Sequence, residues 1–285
     1  MNTEYIEKFG NGSLVPMRIG LLMGSFDPFH NGHMAMMDAC FEQDAVDFIW
    51  VIPTPQNPFK ESSPISLKDR AEIIRRHIFP RYRDRAYVWD DISAFEEFGN
   101  GESMYGYAQI QAVLETKEFL FHLFKDDDGT LLESKGIQWS QLSQEPSVSL
   151  ILGTDAIFDF PKWKNYQEKI RPLIENKELG LVEVKRHGYE GETFLLPYEH
   201  VRVVPDICLG ISSSAIRKRL REGFPCDLYM SFSALAYCYA NELYVPHRPT
   251  VKEIIRKKHP EMTDEEFDKS WEAFERVTEE KSKKK

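Results

Sequence analysis

Two histidines three residues apart, His30 and His33, flank Asn31 and Gly32 in the stretch MRIGLLMGSFDPFHNGHMAMM, residues 17–37. Histidine beside a phosphate can donate hydrogen bonds. When protonated it can also offset the charge that builds on a transferring phosphoryl group. Gly32 leaves space for a ligand to lie against the backbone. The stretch is not a Walker loop, because no GxxxxGK[ST] is present, and it is not GxGxxG. An isolated HxGH is most plainly a pair of surface histidines on a loop. Joined to Gly24-Ser25-Phe26-Asp27-Pro28, it becomes a functional signal.

The elements that must carry these residues are legible nearby. Ile19, Leu21, Leu22 and Met23 form an apolar run long enough for a buried strand and too short for a helix. Gly24 and Ser25 break it, and Asp27-Pro28 marks a turn. From Asn31 onward Met34, Ala35, Met37 and Ala39 predict an amphipathic helix. Strand, loop and helix N-terminus thus aim unpaired N–H groups and a helix dipole at one spot, which suits a phosphate.

Bulk properties narrow the class. The 285 residues suffice for one large domain or two small ones with a sizeable core. At 42% hydrophobic and 29% charged, the composition favours neither disorder nor a membrane protein, and no apolar run approaches bilayer length. A net charge of −10 argues against non-specific nucleic-acid binding. Cys40, Cys208, Cys226 and Cys238 form no CxxC pair and no metal-ligand spacing, which predicts reduced, partly buried thiols of a cytoplasmic protein. Met1–Val15 lacks a basic start and an apolar core, so no signal peptide is expected.

Along the chain, residues 1–16 read as a polar leader. Ala45–Thr54 is a second strand, running into the extended loop Pro55-Gln56-Asn57-Pro58-Phe59-Lys60, where Lys60 is the cation nearest the strand end. Leu67–Ile78 is a helix with Leu67, Ala71, Ile74 and Ile78 on one face, and Ala86–Ile92 a third strand. Tyr107–Phe124 is a helix with Ile110, Val113, Leu114 and Leu120 inward. The acid run Asp126–Asp128 that ends it reads as a solvated turn, since it lacks an EF-hand pattern. Ser147–Leu152, Leu179–Val184 and Val201–Val204 complete six short strands. Their alternation with helices predicts a mostly parallel α/β sheet, with the ligand crevice at the carboxyl ends of the strands. His30, Lys60 and Asp155 all follow strand ends.

Two more motifs lie in the second half. In GTDAIFDFPKW, Trp163 stands eight residues beyond Asp155. The carboxylate could accept from ribose hydroxyls, and an exposed Trp offers a face to a flat heterocycle. A Trp packed in the core is the plain alternative, and spacing does not choose between them. In ISSSAIRKRL, residues 211–220, Ser212, Ser213 and Ser214 open a helix with Arg217 close behind. This is either an ordinary serine cap with a solvated arginine or a second N-terminus suited to an anion.

Together GSFDPFHNGH, TPQNPFK, LGTD with Trp163, and ISSSAIR resemble the nicotinate/nicotinamide mononucleotide adenylyltransferases of the HxGH nucleotidyltransferase superfamily, most closely the bacterial nicotinate-nucleotide form. The resemblance spans roughly residues 17–245, and LYMSFSALAYCYANELY is similar to that family's closing helix. It implies a Rossmann-like domain over residues 17–246 with an insertion at about 126–146, followed by a helical tail over 247–285. The implied reaction joins ATP and a pyridine mononucleotide into a dinucleotide with release of pyrophosphate, by in-line attack at the α-phosphorus. Catalysis would then be positioning plus charge stabilisation.

By the resemblance, His30, His33, Lys60 and Arg217 are catalytic, with His33 nearest the transferring phosphate and Ser212, Ser213 and Arg217 on the β- and γ-phosphates. Gly24, Ser25, Phe26, Gly32, Gly153, Asp155 and Ile211 complete the ATP site, Asp155 at the ribose. Ser25, Phe26, Lys60, Tyr107, Trp163 and Arg186 take the pyridine nucleotide, Trp163 by stacking. Mg²⁺ enters with ATP, carried by its phosphates, with no metal ligand assigned to the chain. The partners implied are these small molecules, without nucleic acid or membrane.

Departures exist as well. Ser103-Met104-Tyr105-Gly106-Tyr107-Ala108-Gln109-Ile110 lacks the threonines with which the bacterial family helps recognise the pyridine carboxylate. This leaves nicotinate or nicotinamide open. Pantetheine-phosphate adenylyltransferases and cytidylyltransferases share HxGH, though PQNPFK fits them poorly. A nucleotide-binding regulator without turnover is a third reading. In the tail, Val251–His259 and a segment opened by a Thr263–Glu266 capping box read as helices, with Phe267, Trp271, Phe274 and Val277 forming a stripe. That stripe docks on its own domain or makes a homo-oligomer contact.

Overall fold

The computed structural model describes residues 18–55, 65–82, 85–90, 106–122, 146–185, 200–205, 210, 212–245 and 251–282. Two compact units divide the chain, Met1–Val245 and Pro246–Lys285. In the first, strands β1 (Arg18–Gly24), β2 (Phe48–Pro53), β3 (Ala86–Val88), β4 (Ser147–Gly153), β5 (Gly180–Val184) and β6 (Val201–Val203) form one sheet, in the order β3-β2-β1-β4-β5-β6. Every pairing is parallel, with Leu22 opposite both Val51 and Ile151. The expected parallel, Rossmann-like α/β architecture is therefore present. The strand order reverses between β1 and β4, which is where such sheets open a crevice at their carboxyl ends.

Both faces of the sheet are covered, so the strands are apolar on both sides rather than alternating with polar residues. Leu22, Ile49, Val51, Ile151 and Val182 face one core. It is shared with helices α1 (Asn31–Glu42), α2 (Leu67–Tyr82), α6 (Ser213–Glu222) and α7 (Phe232–Ala240). Leu21, Trp50, Ile52, Leu150 and Leu181 face the other, against α3 (Gly106–His122), α4 (Thr154–Asp159), a π-helical turn at Tyr166–Ile170 and α5 (Arg171–Glu175).

Several boundaries differ from the sequence reading for local reasons. The second strand starts at Phe48 rather than Ala45, because the Ala45 N–H closes the end of α1 on the Cys40 carbonyl at 2.9 Å. Helix α2 runs past Ile78 to Tyr82, through Pro80. Proline lacks the N–H that would bond the Arg76 carbonyl, and the Ser231 hydroxyl donates to that carbonyl instead, at 3.3 Å. The closing helix is shorter than its resemblance block: α7 opens on a Ser231 cap and ends at Ala240, and Tyr244 takes a left-handed φ of 61° beyond it. The third strand stops at Val88, where the Trp89 N–H still reaches the Val51 carbonyl at 3.0 Å. The acid run at 126–128, the insertion and Cys208 lie outside the described residues.

Cys40, Cys226 and Cys238 are buried free thiols, as expected. Gln109 in the first turn of α3 is fully buried, and neither amide atom has a partner among the described residues. An orphaned amide costs more than an apolar group of like size, so Gln109→Met is expected to raise the unfolding free energy by about 1–2 kcal/mol. Urea titration checks this, and an unchanged midpoint would show that the amide is satisfied.

The second unit contains α8 (Val251–Lys258) and α9 (Asp264–Ser282). Thr263 and Glu266 form the expected capping box, the Thr263 N–H donating to the Glu266 carboxylate at 2.9 Å. Arg256 ties the pair together, bonding Asp264 at 2.8 Å and lying over the Phe267 ring, which is buried. Among the described residues, no helix is long and apolar enough to cross a membrane.

Candidate active site

The site starts at the end of β1. After Gly24 the chain turns through Ser25, Phe26 and a cis Asp27–Pro28 peptide into α1. His30 caps this helix. Its Nδ1 accepts from the Gly32 N–H at 3.1 Å, while the His33 Nδ1 accepts from the His30 N–H, also at 3.1 Å. This is a capping box built from two imidazoles rather than from Ser and Glu. A nitrogen that accepts carries no proton, so both neutral rings hold theirs on Nε2. The rings lie 3.9 Å apart, tilted by 30°. Gly32 is required for this packing, since a Cβ there would stand 2.9 Å from the His30 ring.

Residues from far along the chain hold the loop. The Tyr244 hydroxyl donates to the Asp27 carboxylate at 2.5 Å, and burial with this carboxylate beside it pushes the phenol well above its usual range. Arg217 donates to the Asp27 carbonyl at 2.5 Å, with the carboxylate 3.5 Å away. Ser213 donates to the Pro28 carbonyl at 2.9 Å, and the Asn31 N–H to the Tyr229 carbonyl at 2.8 Å. Ser212 is the N-cap of α6, accepting from the Ala215 N–H at 3.2 Å. The N-termini of α1 and α6, separate motifs in the sequence, therefore stand beside one loop. Two helix dipoles and the Arg217 guanidinium converge there, an arrangement suited to a polyphosphate.

Gly153 ends β4 and caps α4, so Asp155 sits in the first turn of that helix at the same edge of the sheet. Behind it the Thr154 hydroxyl donates to the Glu183 carboxylate at 3.2 Å. Burial draws the Glu183 carboxyl upward. The Arg202 hydrogen bond and charge, with Lys185, outweigh burial and keep it below its usual range.

Trp163 is half-buried, edge-on to Phe160 at 5.1 Å. Its six-membered ring lies against the start of α3, where a Cβ on Gly106 would come within 2.9 Å. Tyr107 follows, its hydroxyl on Gln111 at 2.9 Å and its ring under the Lys169 ammonium at 4.7 Å. Burial raises its phenol. Lys60, Arg186 and Ile211 lie outside the described residues.

Sequence alone gives no role to Asp27, Arg70, Tyr229 and Tyr244. Arg70 had a visible signal, a charge at helical spacing within the apolar stripe of Leu67 and Ile74. Asp27, Tyr229 and Tyr244 act through contacts that no local pattern shows.

The cytidylyltransferase-like family model matches residues 21–219. A "probable nicotinate-nucleotide adenylyltransferase" of Methylacidiphilum infernorum is 27% identical over 232 residues, covering 81% of this chain and 94% of that protein. One of the same description from Azobacteroides pseudotrichonymphae is 29% identical over 219 residues, covering 75% and 92%. The Plasmodium falciparum nicotinic acid mononucleotide adenylyltransferase, solved with NaAD, aligns over 80% of this chain and 97% of its own. Its TM-score is 0.53 at 17% identity, a likeness of fold. With the family model spanning most of the chain and the HxGH loop seated at the switch point of the sheet, the chain belongs to the cytidylyltransferase-like family and is an enzyme of the nucleotidyltransferase class.

Proposed function

We propose that this enzyme transfers AMP from ATP to nicotinate or nicotinamide mononucleotide, forming the dinucleotide and pyrophosphate in NAD biosynthesis. One observation carries the reading: the imidazole capping box and the N-terminus of α6 with Arg217 meet at one loop. The names of the relatives at 27–29% identity support the choice of acceptor.

The mononucleotide 5′-phosphate attacks the α-phosphorus in line, with no covalent enzyme intermediate. His30 and His33 donate from Nε2 to the transferring phosphate, His33 nearest, and Arg217 with Ser212 and Ser213 holds the leaving phosphates. Lys60 adds charge from the second strand's loop. Asp155 takes a ribose, and Trp163 takes the pyridine, with Tyr107 and Arg186 beside it. Mg²⁺ bound to the ATP phosphates would supply neutralisation of their charge. Among the described residues the Asp27 carboxylate is held by Tyr244 and Arg217. These roles fall within residues 17–246, which we read as the catalytic domain.

Pyrophosphate release with ATP-Mg²⁺ tests the reading, with nicotinate and nicotinamide mononucleotide offered side by side. Release that requires one of the two acceptors is expected. Silence with both, and release with phosphopantetheine or from CTP, would transfer the chain to another branch of the family. Nucleotide binding with no release under any condition would make it a regulator.

A further inference from the structure

Arg70 has no part in the mechanism above, yet it is among the most deeply buried charges in the protein, at 2% exposure. Rising from α2, its Nη1 donates to the Ser25 carbonyl at 2.6 Å and the Thr54 carbonyl at 2.8 Å, and its Nη2 to the Pro55 carbonyl at 3.0 Å. These carbonyls belong to the two loops that leave β1 and β2 at the crevice. A planar guanidinium can hold such a set, whereas a single ammonium cannot span it. No carboxylate among the described residues forms an ion pair with Arg70; Asp27 acts on it only at longer range. Its charge is therefore spent on backbone.

The next residue explains why a clamp is needed. Phe26 has a φ of 45°, in the left-handed region where a bulky side chain costs on the order of 1–3 kcal/mol. Such a conformation persists only when its surroundings dictate it. In a trans peptide the carbonyl of one residue and the N–H of the next point in opposite directions. Drawing the Ser25 carbonyl toward Arg70 therefore turns the Phe26 N–H away from α2. That N–H donates to no group among the described residues, and Phe26 itself is 4% exposed. The Ser25 and Thr54 hydroxyls, on two of the residues whose carbonyls Arg70 holds, are likewise buried without partners among the described residues.

We infer that Arg70 is a positioning residue for polyphosphate binding: by holding the Ser25–Phe26 peptide in its strained orientation, it presents the Phe26 N–H as a preorganised phosphate donor. This rests on the nucleotide reading of the site. Two substitutions separate the clamp from the charge. Arg70→Lys keeps the charge but not the three-way grip, and Arg70→Met loses both. The probes are inorganic tripolyphosphate and adenosine, bound by calorimetry to the full chain.

Arg70→Lys is expected to bind tripolyphosphate at least about tenfold more weakly, and adenosine within about twofold of wild type, a split that general misfolding would not produce. Wild-type affinity for tripolyphosphate in Arg70→Lys overturns the clamp, even if Arg70→Met binds poorly, because charge alone would then suffice. If both variants unfold, wild-type ¹⁵N spectra decide. Tripolyphosphate must shift the Phe26 amide strongly, and an unmoved Phe26 amide overturns the inference. A wild type that binds no tripolyphosphate overturns the nucleotide reading itself and the inference with it.

Discussion

His33→Ala is expected to lower kcat by about 10²-fold or more, the scale of losing one transition-state donor. The same substitution removes half of the imidazole capping box, so it should also cost stability, on the order of 1 kcal/mol. Alanine therefore confuses two roles, and His33→Asn separates them. The Asn side-chain oxygen can replace Nδ1 as acceptor for the His30 N–H but offers nothing at Nε2. The asparagine variant should melt near wild type while turning over as slowly as the alanine variant. If His33→Asn keeps a near-normal kcat, the Nε2 donor has no part in the chemistry. If both variants lose stability equally, the cap bond contributes nothing.

Acid is expected to unfold this protein through His77. The residue is buried in α2 beside Phe29, at 5.4 Å between rings, and neither ring nitrogen has a partner among the described residues. Burial, with the nearby His30 adding to it, pushes its pKa down to about 3. An unfolded histidine titrates near 6.5, so between these values the unfolded chain binds a proton that the folded chain refuses. The stability from keeping His77 neutral is complete above about pH 6.5 and is lost as pH falls toward 3. The slope is about 1.4 kcal/mol per pH unit, or roughly 3 kcal/mol by pH 4. Urea unfolding of wild type and His77→Leu at pH 7 and pH 4 isolates this contribution from the carboxylates. The gap between the two proteins should shift by that amount in favour of His77→Leu. Parallel pH curves would mean that His77 is solvated or paired in the native state.

These two histidine predictions differ in how far sequence could anticipate them. His33 sits in a local motif, where strand, loop and helix follow within about twenty residues, and such short-range order is written in apolar runs and turn residues. For the same reason the strands were legible: both faces of a parallel sheet are buried, so each strand is a continuous apolar run. Their exact ends were not, because a hydrogen bond such as Ala45 to Cys40, rather than side-chain polarity, stops the element. His77 and Arg70 look like exposed helix residues by type, and only their place on the apolar stripe of Leu67, Ile74 and Ile78 hints otherwise. Most of what holds the histidine loop is long-range. The Asp27–Tyr244 bond joins residues 217 positions apart, and the Arg217–Asp27 bond residues 190 apart. No periodicity encodes such a pairing.

That same separation orders events during synthesis. A ribosome delivers β1, the histidine loop and α1 well before Ser213, Arg217, Tyr229 and Tyr244. Until those late residues arrive, the Asp27 carboxylate, the Pro28 carbonyl and the Asn31 amide lack their holders. A nascent chain can therefore pair β1 with β2 long before it can fix the histidine loop. The loop's full set of holders comes only with the final segment of the first unit, which acts as the latch on a loop translated long before it.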